Sequence, residues 1–114
     1  MSGLSKMTFF ERFEADILAG KKTITLRDES EKDFVIGSIV DVATFETDRQ
    51  FCQLRILAVT AVGFSELNHQ HAEQENMSLE QLKQVIADIY PGIEQLYEIQ
   101  FELIKGLASH SLNG

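Results

Sequence analysis

The stretch Gly20-Lys21-Lys22-Thr23-Ile24-Thr25-Leu26-Arg27-Asp28 decides how this chain is read. Its nine residues carry three cations, two threonine hydroxyls and one carboxylate. Strand periodicity puts Ile24 and Leu26 on a core face and Thr23, Thr25 and Arg27 on the other. A fully buried strand has no use for so many polar groups. A strand with one face on the core and one on a cleft does. The plain alternative is a half-exposed edge strand with solvated cations, a common pattern in soluble sheets.

Upstream, Thr8 is placed to cap a helix that starts at Phe9. Phe9, Phe13 and Ile17 recur every fourth residue, with Phe10 and Leu18 beside them. Gly20 is the natural stop, because it adopts the left-handed conformation that closes a helix. Downstream, Asp28 to Asp33 reads as a charged loop and Gly37-Ser38 as a turn tip. Ile39 to Phe45 and Phe51 to Val62 are rich in β-formers, the second bent near Ala58 and ended by Gly63. Ser65 is read as the cap of a short helix over 66–73. Ser78 with Gln81 forms a capping box, and Leu79, Leu82, Val85, Ile86 and Ile89 line the face of the helix that follows. Pro91-Gly92 ends it. Leu96 to Leu103 alternates as a half-buried strand.

The 114 residues suit one domain, with 44% apolar and 25% charged residues. No apolar run approaches the roughly 20 residues of a membrane helix. The first residues lack the apolar segment of a secretory signal, and Cys52 is the only cysteine. The expected compartment is therefore the cytoplasm. A net charge of −8 disfavours long nucleic acid as the main ligand, without removing RNA as an option.

A second polar cluster, His69-Gln70-His71-Ala72-Glu73-Gln74-Glu75, admits several readings. His71 and Glu75 share a helix face and could ligate a metal, but a third ligand is not evident. His71-x-Glu73 fits zinc deaminases, which also need a Pro-Cys-x-x-Cys partner that one cysteine cannot supply. One carboxylate could act as a general acid in a cleft. The cluster could also be a solvated acidic connector. Lys22 and Thr25 form a possible base and nucleophile pair, against the alternative of an exposed lysine and an ordinary β-forming threonine. Residues three apart face opposite ways on a regular strand, so Lys22 must precede the strand or sit on a bulge. Lys21 and partial burial would both weaken the hold of Lys22 on its proton.

Gly20-x-Lys22-x-x-x-x-Arg27 resembles the signature of the ASCH superfamily, small β-barrels similar to the PUA domain. Longer strings resemble the bacterial N(4)-acetylcytidine amidohydrolases: Thr8-Phe9-Phe10, Asp16-Ile17-Leu18-Ala19-Gly20, Lys22-Thr23-Ile24-Thr25, Arg27-Asp28-Glu29-Ser30, His71-Ala72-Glu73-Gln74-Glu75-Asn76-Met77, and Val85-Ile86-Ala87-Asp88-Ile89-Tyr90-Pro91-Gly92. The resemblance spans roughly 7–103. Leu26 stands where isoleucine is usual.

The resemblance implies an α+β fold, a small PUA-like β-barrel with flanking helices. The chain is read as a single domain over 1–114, with its core at about 7–103 and the small, polar 104–114, outside the resemblance, as a flexible tail. It implies hydrolysis of acetylated cytidine nucleosides to cytidine and acetate, with no metal and no cofactor. Its catalytic lysine, threonine and glutamate fall on Lys22, Thr25 and Glu75. Arg27 is expected either to bind substrate or to pair with Asp28 or another nearby acid. The expected partner is a small acetylated pyrimidine nucleoside, with no membrane. The competing class is a non-catalytic module that binds RNA or a modified nucleoside.

Overall fold

The computed structural model describes residues 4–106. Five strands form one mixed sheet in the order β1-β3-β4-β5-β2. In chain order these are β1 (Lys6–Phe9), β2 (Ile24–Arg27), β3 (Ile39–Thr44), β4 (Gln50–Gly63) and β5 (Gln95–Gly106). Among the described residues three α-helices complete it: α1 (Glu14–Leu18), α2 (His69–Gln74) and α3 (Leu79–Ile89). The sheet curls so that its two edge strands meet. Arg27 Nη2 on β2 donates to the Thr8 carbonyl oxygen on β1 at 2.7 Å, and the guanidinium lies 4.9 Å from the Phe9 ring centroid. A side chain thus bridges the seam where a fully closed barrel would have a ladder.

The helix expected from Phe9 is corrected. Lys6–Phe9 is a strand paired in parallel with β3, Thr8 beside Ala43, so Thr8 caps nothing. The chain then turns through a short 3₁₀ segment, Glu11–Phe13, before α1. The Phe13 and Ile17 stripe survives and is buried. The short helix expected after Ser65 is also corrected. Phe64–Glu66 is one 3₁₀ turn, and α2 begins later, capped by Asn68, whose side chain accepts from the Gln70 and His71 amides. The Ser78–Gln81 capping box forms as read. The bend near Ala58 is a register shift between Ile56 and Ala58 against β5. Residues 104–106 continue β5, and the rest of the expected tail lies outside the described residues.

The core has two parts. One fills the inside of the curl, with Met7, Phe9, Phe13, Ile17, Ile99 and Phe101 among its members. The other lies under α2 and α3 and includes Leu82, Ile86 and Leu96. The faces of β2 differ from expectation. Thr25 stands opposite Ile99, so it looks into the curl and is buried, whereas Ile24 and Leu26 are only half-buried. Leu26 packs on the second cluster. The interior of the curl, not an outer surface, is therefore the polar side of β2.

Candidate active site

Lys22 and Glu75 both hang from the end of a helix. After α1, Gly20 takes φ +76°, and the Gly20 and Lys21 amides donate to the Ile17 and Asp16 carbonyls at 3.1 and 2.9 Å. That is a Schellman closure. The Lys22 amide adds a third bond, to the Asp16 carbonyl at 3.1 Å, so Lys22 is held before the strand begins. After α2, Asn76 takes φ +58°, and the Asn76 and Met77 amides donate to Glu73 and Ala72, both at 3.1 Å. The same closure leaves Glu75 as the capping residue.

The two side chains meet. Lys22 Nζ donates to Glu75 Oε2 at 2.6 Å and to the Gln74 carbonyl at 3.2 Å, and it stands 4.7 Å from the Phe13 ring centroid. The Lys22 side chain is 1% exposed and that of Glu75 16%. Burial is the largest influence on Lys22 and pulls its pKa down from the ordinary 10.5. Glu75 opposes this through its charge and its hydrogen bond, Arg27 adds to the lowering, and Asp16 opposes it. The Gln74 side-chain oxygen accepts from the Thr23 and Ile24 amides at 2.8 and 3.3 Å, docking α2 along β2.

Thr25 Oγ1 accepts from Arg27 Nε at 3.0 Å, so its own O–H remains available to a base. Lys22 Nζ makes no hydrogen bond to Thr25 in this resting arrangement, as is common before a ligand tightens a site. Arg27 Nη1 pairs with Glu31 at 2.9 Å, so the acid it finds is Glu31 and not Asp28. Among the described residues, two of its five N–H donors have no partner.

Lys22, Thr25, Arg27 and Glu75 line one cavity of about 300 Å³. Its opposite wall is apolar, made by Leu82, Val85, Ile86 and Ile89 of α3. Phe10 and Phe45, both exposed and in edge contact at 5.3 Å, also border it. Tyr90 adds a phenol whose pKa burial, then Asp28, raises from 10.0. The sequence reading gives Tyr90, Gln74 and Asn76 no role, because the partners that give them meaning lie far away in the chain, whereas Glu31, four residues from Arg27, falls within its expectation of a nearby acid.

His71 and Glu75 do not work as a pair. His71 Nε2 lies 2.8 Å from Glu98 Oε1 on β5, and Nδ1 accepts from the Asn68 amide at 3.1 Å. With Nδ1 accepting, Nε2 carries the hydrogen toward Glu98. His71 is thus a latch between α2 and the sheet, whereas His69 and Glu73 are exposed. Replacing His71 with leucine removes both bonds and is expected to cost about 1–3 kcal/mol of stability, read as a lower urea midpoint at unchanged slope. An unchanged midpoint would remove the latch role.

The family model described as the ASCH domain matches residues 5–102. The chain belongs to the ASCH domain family. An N(4)-acetylcytidine amidohydrolase from Vibrio vulnificus is 65% identical over 104 residues, covering 91% of this chain and all of that protein. One from a Shewanella species is 62% identical over 101 residues, covering 89% and 98%. The ASCH domain of Lactobacillus crispatus superposes with a TM-score of 0.68 at 17% identity, covering 90% of this chain and 82% of that one. A protein from Enterococcus faecalis gives 0.70 at 15%, covering 93% and 79%. At such identities the two structures bear on the ASCH fold alone, which is the α+β arrangement of a mixed five-stranded sheet with helices.

Proposed function

We propose that this ASCH protein hydrolyses the amide of N(4)-acetylcytidine, as the names of its Vibrio and Shewanella relatives say of those proteins. The observation that carries the mechanism is the buried Lys22–Glu75 contact, 2.6 Å long, opening on the cavity that Thr25 shares. A volume of about 300 Å³ is at the small end of the usual range for small-molecule sites.

The pair holds one proton in either of two arrangements, ammonium with carboxylate or amine with carboxylic acid. Moving that proton along the short bond creates a base and an acid together, and the burial that lowers the Lys22 pKa eases the release of the proton from the amine. Neutral Lys22 takes the Thr25 hydroxyl proton as Oγ1 attacks the acetyl carbonyl. Protonated Glu75 gives its proton to the exocyclic nitrogen, and cytidine leaves. The acetyl-threonine ester then faces an ammonium and a carboxylate. Glu75 takes a proton from water, the hydroxide adds to the ester, and Lys22 returns its proton to Thr25 Oγ1. Acetic acid departs, and the starting pair is restored. Arg27 orients Thr25 through Nε, and its unused N–H donors are available to the substrate oxygen that gains charge.

No step needs a metal. Incubation with N(4)-acetylcytidine in excess chelator is expected to release cytidine and acetate at the untreated rate, followed by chromatography. Loss of turnover that zinc restores would sink the metal-free scheme. Binding without cytidine release would identify a binding module instead.

A further inference from the structure

We propose that Asp16 and Asn76 are positioning residues that set the Lys22–Glu75 distance, an inference that rests on the catalytic reading of that pair. Asn76 Nδ2 donates to Asp16 Oδ2 at 2.6 Å, across 60 residues of chain. Each partner sits at a structurally fixed place. Asp16 is the residue whose carbonyl receives both the Lys21 and the Lys22 amides at the end of α1. Asn76 is the left-handed residue that closes α2 immediately after Glu75. The bond therefore ties one helix end to the other, and the base hangs from one side of the tie and the acid from the other.

The identity of the residue at 76 supports a role beyond the turn. Glycine adopts φ +58° more easily than any other residue, and asparagine is the usual second choice. Asparagine adds an amide that glycine lacks, and here that amide is engaged. α2 and α1 themselves are short, of six and five residues, so neither is a stiff support alone. Without the tie, the placement of Glu75 rests on the backbone closure of α2, on Gln74 and on Lys22 itself.

Three variants separate the tie from the turn. Asn76→Gly removes the amide and keeps the backbone conformation. Asn76→Asp sets two carboxylates face to face. Asp16→Asn combined with Asn76→Asp restores the hydrogen bond with its polarity reversed. Both single variants are expected to lower kcat about 10- to 100-fold with KM little changed, the scale of an ångström-sized misplacement of reacting groups. The double exchange is expected to regain at least about tenfold over Asn76→Asp, a coupling that independent sites would not give. A kcat above half that of the parent in both single variants, no recovery in the exchange, or a loss that tracks only the folded fraction in thermal melts would overturn the proposal.

A second readout needs no turnover. The Lys22 ¹³Cε resonance, followed against pH, is expected to have a different midpoint in Asn76→Gly than in the parent, because the Glu75 contact has changed. If the parent releases no cytidine, the proposed function fails and this titration still judges the tie. Equal midpoints would reject it.

Discussion

Lys22→Arg lowers kcat/KM about 10⁴-fold in the expected outcome, the upper end of what a positioned acid or base supplies. Arginine keeps the positive charge and the ability to pair with Glu75. It cannot surrender its proton at any working pH. A lysine present only to anchor Glu75 would be replaced with modest loss. A lysine that must become neutral would not, and its loss also leaves Glu75 without the proton it donates. The larger guanidinium must fit where the Lys22 side chain is 1% exposed, so thermal melting of the variant is measured alongside. Retention of more than about a tenth of the parent rate in a folded Lys22→Arg protein would show that Lys22 is not the base.

The pH profile of the parent follows from the same pair. One proton must be present, because it ends on the leaving nitrogen. Activity therefore falls at alkaline pH when the pair loses its last proton. Burial lowers the Lys22 pKa, so this limb is expected below the ordinary 10.5. The apparent pKa belongs to the pair and not to Lys22 alone.

Thr25→Val tests the nucleophile. Valine keeps the branched shape and removes the oxygen, so packing beside Ile99 is retained. If Thr25 only hydrogen-bonds the substrate, its loss costs about 0.5 to 3 kcal/mol, at most roughly 100-fold in rate. Losing the attacking atom costs orders of magnitude more. The expected result is a loss well beyond 100-fold for valine and alanine, with Thr25→Ser retaining much of the rate. Valine also orphans Arg27 Nε, which now donates to Oγ1, so a stability loss of about 1–3 kcal/mol is expected and is measured separately. Rapid-quench mass spectrometry of the parent should find one acetyl group on the peptide containing Thr25. A Thr25→Val enzyme with more than a hundredth of the parent rate, and no adduct in the parent, would favour direct attack by water.

The local features of this protein were legible in its residues because their causes are local. Gly20 closes α1 since glycine accepts a positive φ, and Ser78 with Gln81 starts α3 since each side chain answers an amide three residues away. The strand read over 23–27 and the polar string around it were legible for the same reason, but not the strand's faces, because it is Thr25 and not Ile24 or Leu26 that the curl buries. Phe9 reads as the start of a helix capped by Thr8. Its spacing fits one, and only a parallel partner more than thirty residues later makes Lys6–Phe9 a strand. Ser65 looked like a cap, but the helix waits for Asn68, where α2 can latch to Glu98 through His71. Apart from the local Thr25–Arg27 and Arg27–Glu31 bonds, the site is tertiary in this sense. Arg27 finds Thr8 only because the sheet curls its edges together, and Lys22 finds Glu75 across 53 residues. Periodicity and capping report on neighbours within a turn or two, whereas the burial that unsettles the Lys22 proton exists only once the distant walls have closed around it.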